Sequence, residues 1–337
     1  MTNFKSHMRF FVIALIVLLS FIVPMVQAQT SANYLYRLSD FNGPVESLWA
    51  RIAIDKEIGE VYTLNRVDSI IQIYNPTAMQ TFGFGEEFRL ASSSDIAVGS
   101  DGDIFVLYRH PSGSVQHFDY RGKLIGEINV DGESNKQLFK PDFLDYHAGK
   151  LYLADSGSMQ VLVTGIHGVV EQHYDFRSLI AAQIKQSAKN KDLNNAQRKK
   201  IREDLNTLAG ALFGGFSVDS QGNIYFTVAS FFTAYRFIPQ NDDLKPFGIP
   251  GSGPGKFGVV ASICADRQGN IYVSDRLRSV VLMFDSALTF QTEFGYRGSQ
   301  PHNLVVPDDL AIDEKNQRIY VSQAANRGIS VFALKSQ

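Results

Sequence analysis

Six times between residues 40 and 334 the chain repeats one pattern: a short apolar run, a polar turn, a second run carrying an aromatic, and two further short runs. The clearest copy spans 257–298. It reads Phe257-Gly-Val-Val-Ala-Ser-Ile-Cys-Ala265, the turn Asp266-Arg-Gln-Gly-Asn270, then Ile271-Tyr-Val-Ser-Asp275, Val280-Val-Leu-Met-Phe284 and Gln291-Thr-Glu-Phe-Gly295. These runs are β-branched and apolar without helical spacing, so they are strands. Gly269 and Asn270 supply the positive-φ positions of a tight hairpin. The strands are apolar nearly throughout, so both faces of each sheet must be covered. Helical pattern is scarce, which leaves the next copy of the same sheet as the cover.

The aromatics of the second runs are Tyr62, Phe105, Tyr152, Tyr225, Tyr272 and Tyr320, at intervals of 43, 47, 73, 47 and 48 residues. Six small sheets at this period predict an all-β fold: a six-bladed β-propeller of four-stranded antiparallel blades. The long interval holds the one strong helical pattern of this region, a hairpin inserted between blades 3 and 4 at 177–212. Leu179, Ile180 and Ile184 fall at helical spacing. Asn194 or Asn195 caps a second helix carrying Ile201, Leu205 and Leu208, with Arg198, Lys199, Lys200 and Arg202 on its other face. The hairpin reads either as a solvated element on the propeller rim or as a lid or partner-docking element on the top face.

The segments Gly251-Ser-Gly-Pro-Gly-Lys-Phe257, Phe294-Gly-Tyr-Arg-Gly298, Pro307-Asp-Asp-Leu-Ala-Ile-Asp313 and Ile271-Tyr-Val-Ser-Asp275 resemble NHL repeats, and the resemblance extends over most of 40–334. It implies the six-bladed propeller of the NHL and SMP-30-like families. It does not imply one activity, because such propellers include lyases, hydrolases and binding modules.

Residues 1–28 have the form of a cleavable signal peptide: Lys5 and Arg9, an uncharged run Phe10–Val23, Pro24, and small residues at Val26-Gln-Ala28. The run is 14 residues, short against the ~20 that span a bilayer. The mature propeller, 29–337, is therefore expected to be secreted or periplasmic, monomeric, and without a stable membrane span. It holds 30 Lys+Arg against 34 Asp+Glu and no basic tract suited to nucleic acid. Its sole cysteine, Cys264, makes no internal disulfide. The last repeat ends at Leu334 one strand short, and Tyr34–Leu38 stands alone before the first. The expectation is that this amino-terminal strand completes the last blade.

Ten residues before each aromatic, with one extra turn residue in blades 1 and 6, stand Arg51, Asp95, Asp142, Gly215, Ser262 and Asp309. These positions open the innermost strands and are expected to ring the top of the channel. Arg51 there neutralises Asp309 and Asp95, or else Asp95, Asp142 and Asp309 hold a cation. Ca²⁺ is the candidate cofactor, since it takes several oxygen ligands including carboxylates. Arg66, Asp68, Arg109, Arg276 and Arg327, with Tyr108, Phe231 and Phe232, are placed in top loops as a recognition surface. Asp155 and Asp275 are expected to cap turns. Only His110 and His302 fall in top loops, too few for a three-ligand zinc site, and no nucleophile motif is present. The leading reading is a non-catalytic binding or scaffold module for a protein, peptide or glycan in the envelope or outside the cell. The alternative is a metal-dependent hydrolase or lyase of the gluconolactonase or streptogramin-lyase type using the channel-mouth aspartates.

Overall fold

In a computed structural model the chain forms six four-stranded antiparallel sheets around a central channel. The structure describes residues 31–40, 43–44, 50–65, 70–85, 88, 90–109, 113–130, 139–190, 192–324 and 327–335. The expected leader, Arg66, Asp68 and His110 lie outside them.

A first strand, β1 (Ser31–Arg37), and a two-residue ladder of β2 (Ser39–Asp40) and β3 (Gly43–Pro44) precede the repeats. Blade 1 is β4 (Arg51–Ile54), β5 (Val61–Asn65), β6 (Ile70–Tyr74) and β7 (Gln80–Phe84). Blade 2 is β8 (Ser93–Val98), β9 (Ile104–Tyr108), β10 (Ser114–Phe118) and β11 (Leu124–Asn129). Blade 3 is β12 (Phe143–His147), β13 (Lys150–Asp155), β14 (Gln160–Gly165) and β15 (Val170–Asp175). Two helices follow, α1 (Phe176–Ser187) and α2 (Asn195–Ala209). Blade 4 is β16 (Gly215–Val218), β17 (Ile224–Val228), β18 (Thr233–Ile238) and β19 (Asp243–Phe247). Blade 5 is β20 (Val260–Ala265), β21 (Ile271–Asp275), β22 (Val280–Phe284) and β23 (Phe290–Gly295). Blade 6 is β24 (Pro307–Asp313), β25 (Arg318–Gln323) and β26 (Ile329–Lys335). The helices thus sit between blades 3 and 4, or between the fourth and fifth if the sheet that holds β1 is counted first.

Every residue of β5, β9, β17, β21 and β22 is buried. This is why their sequences are apolar throughout: each blade is sandwiched by its neighbours. The aromatic of each second strand is the anchor, and Tyr62, Phe105, Tyr225, Tyr272 and Tyr320 are all at most 2% exposed. Burying a side chain of this kind is worth about 1.5–3 kcal/mol. The turn before it secures its hydroxyl. Asp219 accepts from the Asn223 amide (2.9 Å), the Asn223 side chain (2.8 Å) and the Tyr225 hydroxyl (3.0 Å). Asp266, Asn270 and Tyr272 repeat the arrangement.

The ring closes through β1. It pairs antiparallel with β26, Tyr34 opposite Phe332, and the two rings meet edge to face at 5.6 Å. Leu38 is fully buried and its amide donates to Ile329 O at 2.9 Å.

Of the two positions expected for the inserted hairpin, its body takes the rim. Its base is on the top: Arg177 donates to the carbonyls of Gly157 (2.7 Å), Ala211 (2.9 Å) and Leu208, tying both ends to a blade 3 turn. Its body lies against the outer rim, where Gln183 Nε2 donates to Leu244 O on outer strand β19 at 2.8 Å. Phe176, Ile180 and Leu208 enter the core between blades 3 and 4. Asn194, not Asn195, is the cap of α2, in a capping box with Gln197.

Deleting residues 31–38 removes this closing strand and exposes the edge of β26. We expect a loss of at least roughly 5 kcal/mol, about 10 °C in melting temperature, with aggregation on heating. An unchanged melting curve contradicts the closure.

Candidate functional site: the channel mouth

Strand register fixes which side chains share a level of the channel. The residues paired opposite the six aromatics are Ala53, Ala97, Asp145, Ser217, Cys264 and Ala311. Two residues earlier on each inner strand, at the mouth, come Arg51, Asp95, Phe143, Gly215, Ser262 and Asp309. Five of the six mouth residues are those expected. The blade 3 position is a correction: Phe143, not Asp142, stands in the ring. Blade 3 closes its first hairpin with a two-residue turn, Ala148-Gly149, both at positive φ (50° and 80°). That turn is shorter than those of the other blades, so counting back from Tyr152 slips by one.

Asp142 lies just outside the strand, half-buried. Its pKa is raised by burial, with Arg109 opposing. Arg109 is exposed at the turn after β9. Arg276, at the turn after β21, pairs through Nε and Nη2 with buried Asp308 of blade 6, the Nε contact at 2.9 Å.

At the mouth Arg51 spans three blades. Its Nη1 is 3.5 Å from Asp309 Oδ1, its Nε is 3.9 Å from Asp95 Oδ1, and its guanidinium carbon is 5.3 Å from the Phe143 ring centroid. The remaining carboxylate oxygens serve backbone amides of the next blade. Asp309 Oδ2 accepts from Ile52 N of blade 1 (2.9 Å), and Asp95 Oδ2 from Leu144 N of blade 3 (2.9 Å). One level deeper, Asp145 Oδ2 accepts from Val218 N of blade 4 (2.7 Å). Ser262 Oγ accepts from Leu310 N of blade 6 (3.2 Å) and donates to Asp309 Oδ1 (3.1 Å). Between blades 4 and 5 the Thr227 hydroxyl donates to Ala261 O. Gly215 is required there: a Cβ would lie 2.3 Å from Ala261 O and 2.6 Å from Ser262 Cα. Among the described residues, each of the six blade junctions therefore carries a side-chain tie beside the channel.

Asp145 escaped the sequence reading. Recognising Ala148-Gly149 as a hairpin turn places it on the channel wall. Asp275 and Asp155 cap their turns as expected and also hold the link entering their blade: Asp275 accepts from Val259 N (3.1 Å) and Asp155 from Lys140 N (2.9 Å).

Along this channel the buried Asp95 and Asp309 and the half-buried Asp145 face two cations, Arg51 and Lys56. Burial pushes the pKa of Asp95 up to about 7, with Arg51 opposing and Asp309 adding to it. Burial also raises Asp309 and Asp145, again against nearby positive charge. For Arg51 burial acts to lower the pKa, but Asp309 and Asp95 more than offset it, so the guanidinium stays charged.

The donor set does not fit Ca²⁺. A cationic group stands between Asp95 and Asp309, the third expected ligand, Asp142, lies outside the ring just before β12, and one oxygen of each of Asp95 and Asp309 is taken by an amide of the next blade. Among the described residues no three His, Cys, Asp or Glu side chains are grouped for a metal ion. The channel below the mouth encloses about 100 Å³, against the roughly 300–1,000 Å³ of small-molecule pockets.

No protein-family model matches the chain, and no curated protein matches it. Solved structures do. They include a protein of unknown function from Bacteroides thetaiotaomicron, with a TM-score of 0.60 at 12% identity over 91% of this chain and 76% of that one. A gluconolactonase from Xanthomonas campestris gives 0.56 at 12% over 86% and 88%. A streptogramin B lyase gives 0.53 at 12% over 91% and 97%. At such identity the likeness establishes the six-bladed propeller and nothing of the chemistry.

Because the raised pKa of Asp95 favours its protonated form in the folded state, its contribution to stability is complete below about pH 4. It is lost as pH rises through about 7. Denaturant unfolding at pH 4.5 and 7.5 should show wild type losing on the order of 3 kcal/mol relative to Asp95→Asn between the two values. A pH-independent difference contradicts the assignment. Replacing Arg51 by Met leaves buried carboxylates uncompensated and is expected to cost about 3–5 kcal/mol at neutral pH. A cost below 1 kcal/mol contradicts it.

Proposed function

We propose that this NHL-like propeller is a non-catalytic binding or scaffold module, acting outside the cytoplasm on a protein or peptide partner. The observation that carries the reading is the employment of the mouth residues. Arg51, Asp95, Ser262 and Asp309 are engaged with one another and with backbone amides of neighbouring blades. General acid–base catalysis needs a titratable group within reach of substrate, and metal catalysis needs an open coordination position. Neither demand is met by groups so occupied.

The top face offers surface instead. Leu212 and Val259 hold equivalent positions just before the inner strands of blades 4 and 5, and Phe232 and Leu277 lie in the adjoining turns. All four are exposed, Leu277 by 70%. The Arg276 amide donates to Val259 O (2.9 Å), which joins the two elements of blade 5. Arg276, on blade 5, borders this apolar strip. An exposed apolar strip with an arginine at its edge is the composition of a protein-recognition surface.

The test is capture of a partner from the native host, followed by affinity measurement with Val259→Asp and Leu277→Asp. Both side chains are exposed, so folding should be unaffected while affinity falls at least tenfold. Melting temperature should move by less than a degree with Ca²⁺ or chelator. Undiminished binding by both variants contradicts the top-face reading, and a calcium-dependent lactonase or lyase activity contradicts the non-catalytic one.

A further inference from the structure

The second helix of the inserted hairpin carries its charges against the order that stabilises helices. Residues 177–212 hold 8 Lys+Arg against 3 Asp+Glu, whereas the rest of the chain holds 24 against 31. Within α2 the basic residues come first and the acids last. Arg198, Lys199, Lys200 and Arg202 lie in the amino-terminal half, Glu203 and Asp204 behind them, and the first turn has no acid. This order opposes the helix dipole, which favours anions at the amino terminus. Arg198 and Arg202 are also a like-charge pair one turn apart, an unfavourable spacing. Two pairs relieve part of the charge, Lys199 with Glu203 (3.7 Å) and Lys200 with Asp204 (3.1 Å), yet both lysine side chains remain 74% exposed. Of the 15 residues of α2 only Leu208 is fully buried. A helix polar nearly all round, charged against its own dipole and anchored firmly at its base by Arg177, is poorly explained by its own stability.

We propose that this hairpin is a docking surface for a linear acidic glycan, a polymer with an anionic group on nearly every unit. The site is Arg198, Lys199, Lys200 and Arg202 of α2, with Lys185 and Lys189 beside the turn that joins the helices. The charge complementarity is local, since an anionic polymer is attracted here and repelled by the net-negative body of the propeller.

The form of the surface selects among polyanions. At about 100° per residue the four basic residues of α2 spread over about 200° of its circumference. A flat bilayer reaches one side of such a helix, whereas a flexible chain can follow it round. The exposed large hydrophobic side chains of the molecule include none from α1 or α2. The hairpin therefore lacks the apolar anchors that carry protein interfaces and those that seat a helix in lipid. What is left is attraction by charge alone, strongest for a ligand of high linear charge density. The proposal concerns a different surface from the top-face strip and stands or falls separately from it.

The experiment uses the whole mature protein with heparin as the probe polyanion. Wild type is compared with Arg198→Gln/Lys199→Gln/Lys200→Gln/Arg202→Gln, and with Leu277→Asp as the top-face control. The fourfold variant should lose at least tenfold in affinity. The slope of log affinity against log salt should become shallower by about 3. Its melting temperature should stay level or rise, because repulsion within α2 has been removed. Leu277→Asp should bind heparin as wild type does, whatever its effect on a protein partner. Equal affinity of wild type and the fourfold variant overturns the proposal. So does capture by phosphatidylglycerol vesicles without binding to heparin, which assigns the surface to lipid.

Discussion

The wheel depends on how its six sheets are joined where they crowd together at the channel. Strand starts that converge there bury backbone amides of neighbouring blades, and an unpaired buried amide costs about 1–3 kcal/mol. The molecule answers with short polar side chains that reach sideways. Asp309 serves blade 1, Asp95 serves blade 3, Asp145 serves blade 4 and Ser262 serves blade 6. Thr227 joins blade 4 to blade 5, and Arg51 joins blade 1 to blade 2. Carboxylates suit this task because each has two oxygens: those of Asp95 and Asp309 serve an amide and Arg51, and those of Asp145 serve two amides. Their charge is the cost. Arg51 offsets it at the centre, and the raised pKa values of Asp95 and Asp309 reflect what remains.

This division of labour shapes the functional reading. Groups that would look catalytic in a list of residues are engaged in holding the ring, and the channel beneath them is narrow. The surfaces proposed for recognition lie elsewhere, on the apolar strip over blades 4 and 5 and on the basic rim hairpin. Each is mounted on a rigid part of the wheel. On blade 5 the strip sits on a turn whose Asp275 also grips the incoming link, and the hairpin is pinned at its root by Arg177. The two differ in chemistry, one apolar with Arg276 beside it and the other basic, so the partners proposed for them differ.

Much of the fold was legible because the aromatics recur at a steady interval and the Asp-x-x-Gly-Asn turns mark two hairpins unmistakably. The closing role of Tyr34–Leu38 followed from a missing strand. The mouth was legible wherever the first hairpin kept its usual length, which is why Arg51, Asp95, Gly215, Ser262 and Asp309 fell into place. It failed at blade 3, where Ala148-Gly149 shortens the turn, moving Asp142 out, Phe143 in and Asp145 onto the wall. The choice between rim and top face for the hairpin stayed open, because it depends on Phe176 and Ile180 finding a gap between two blades, and local sequence does not encode that gap.

The central claim is that Arg51, Asp95 and Asp309 act as one structural unit joining the ring. A double-mutant cycle on stability at neutral pH, combining Arg51→Met with Asp309→Asn, tests it most directly. The account predicts a coupling of about 1.5 kcal/mol or more, with the double variant less damaged than the sum of the single ones. Additivity within about 0.5 kcal/mol would show that the two side chains act independently and would contradict it.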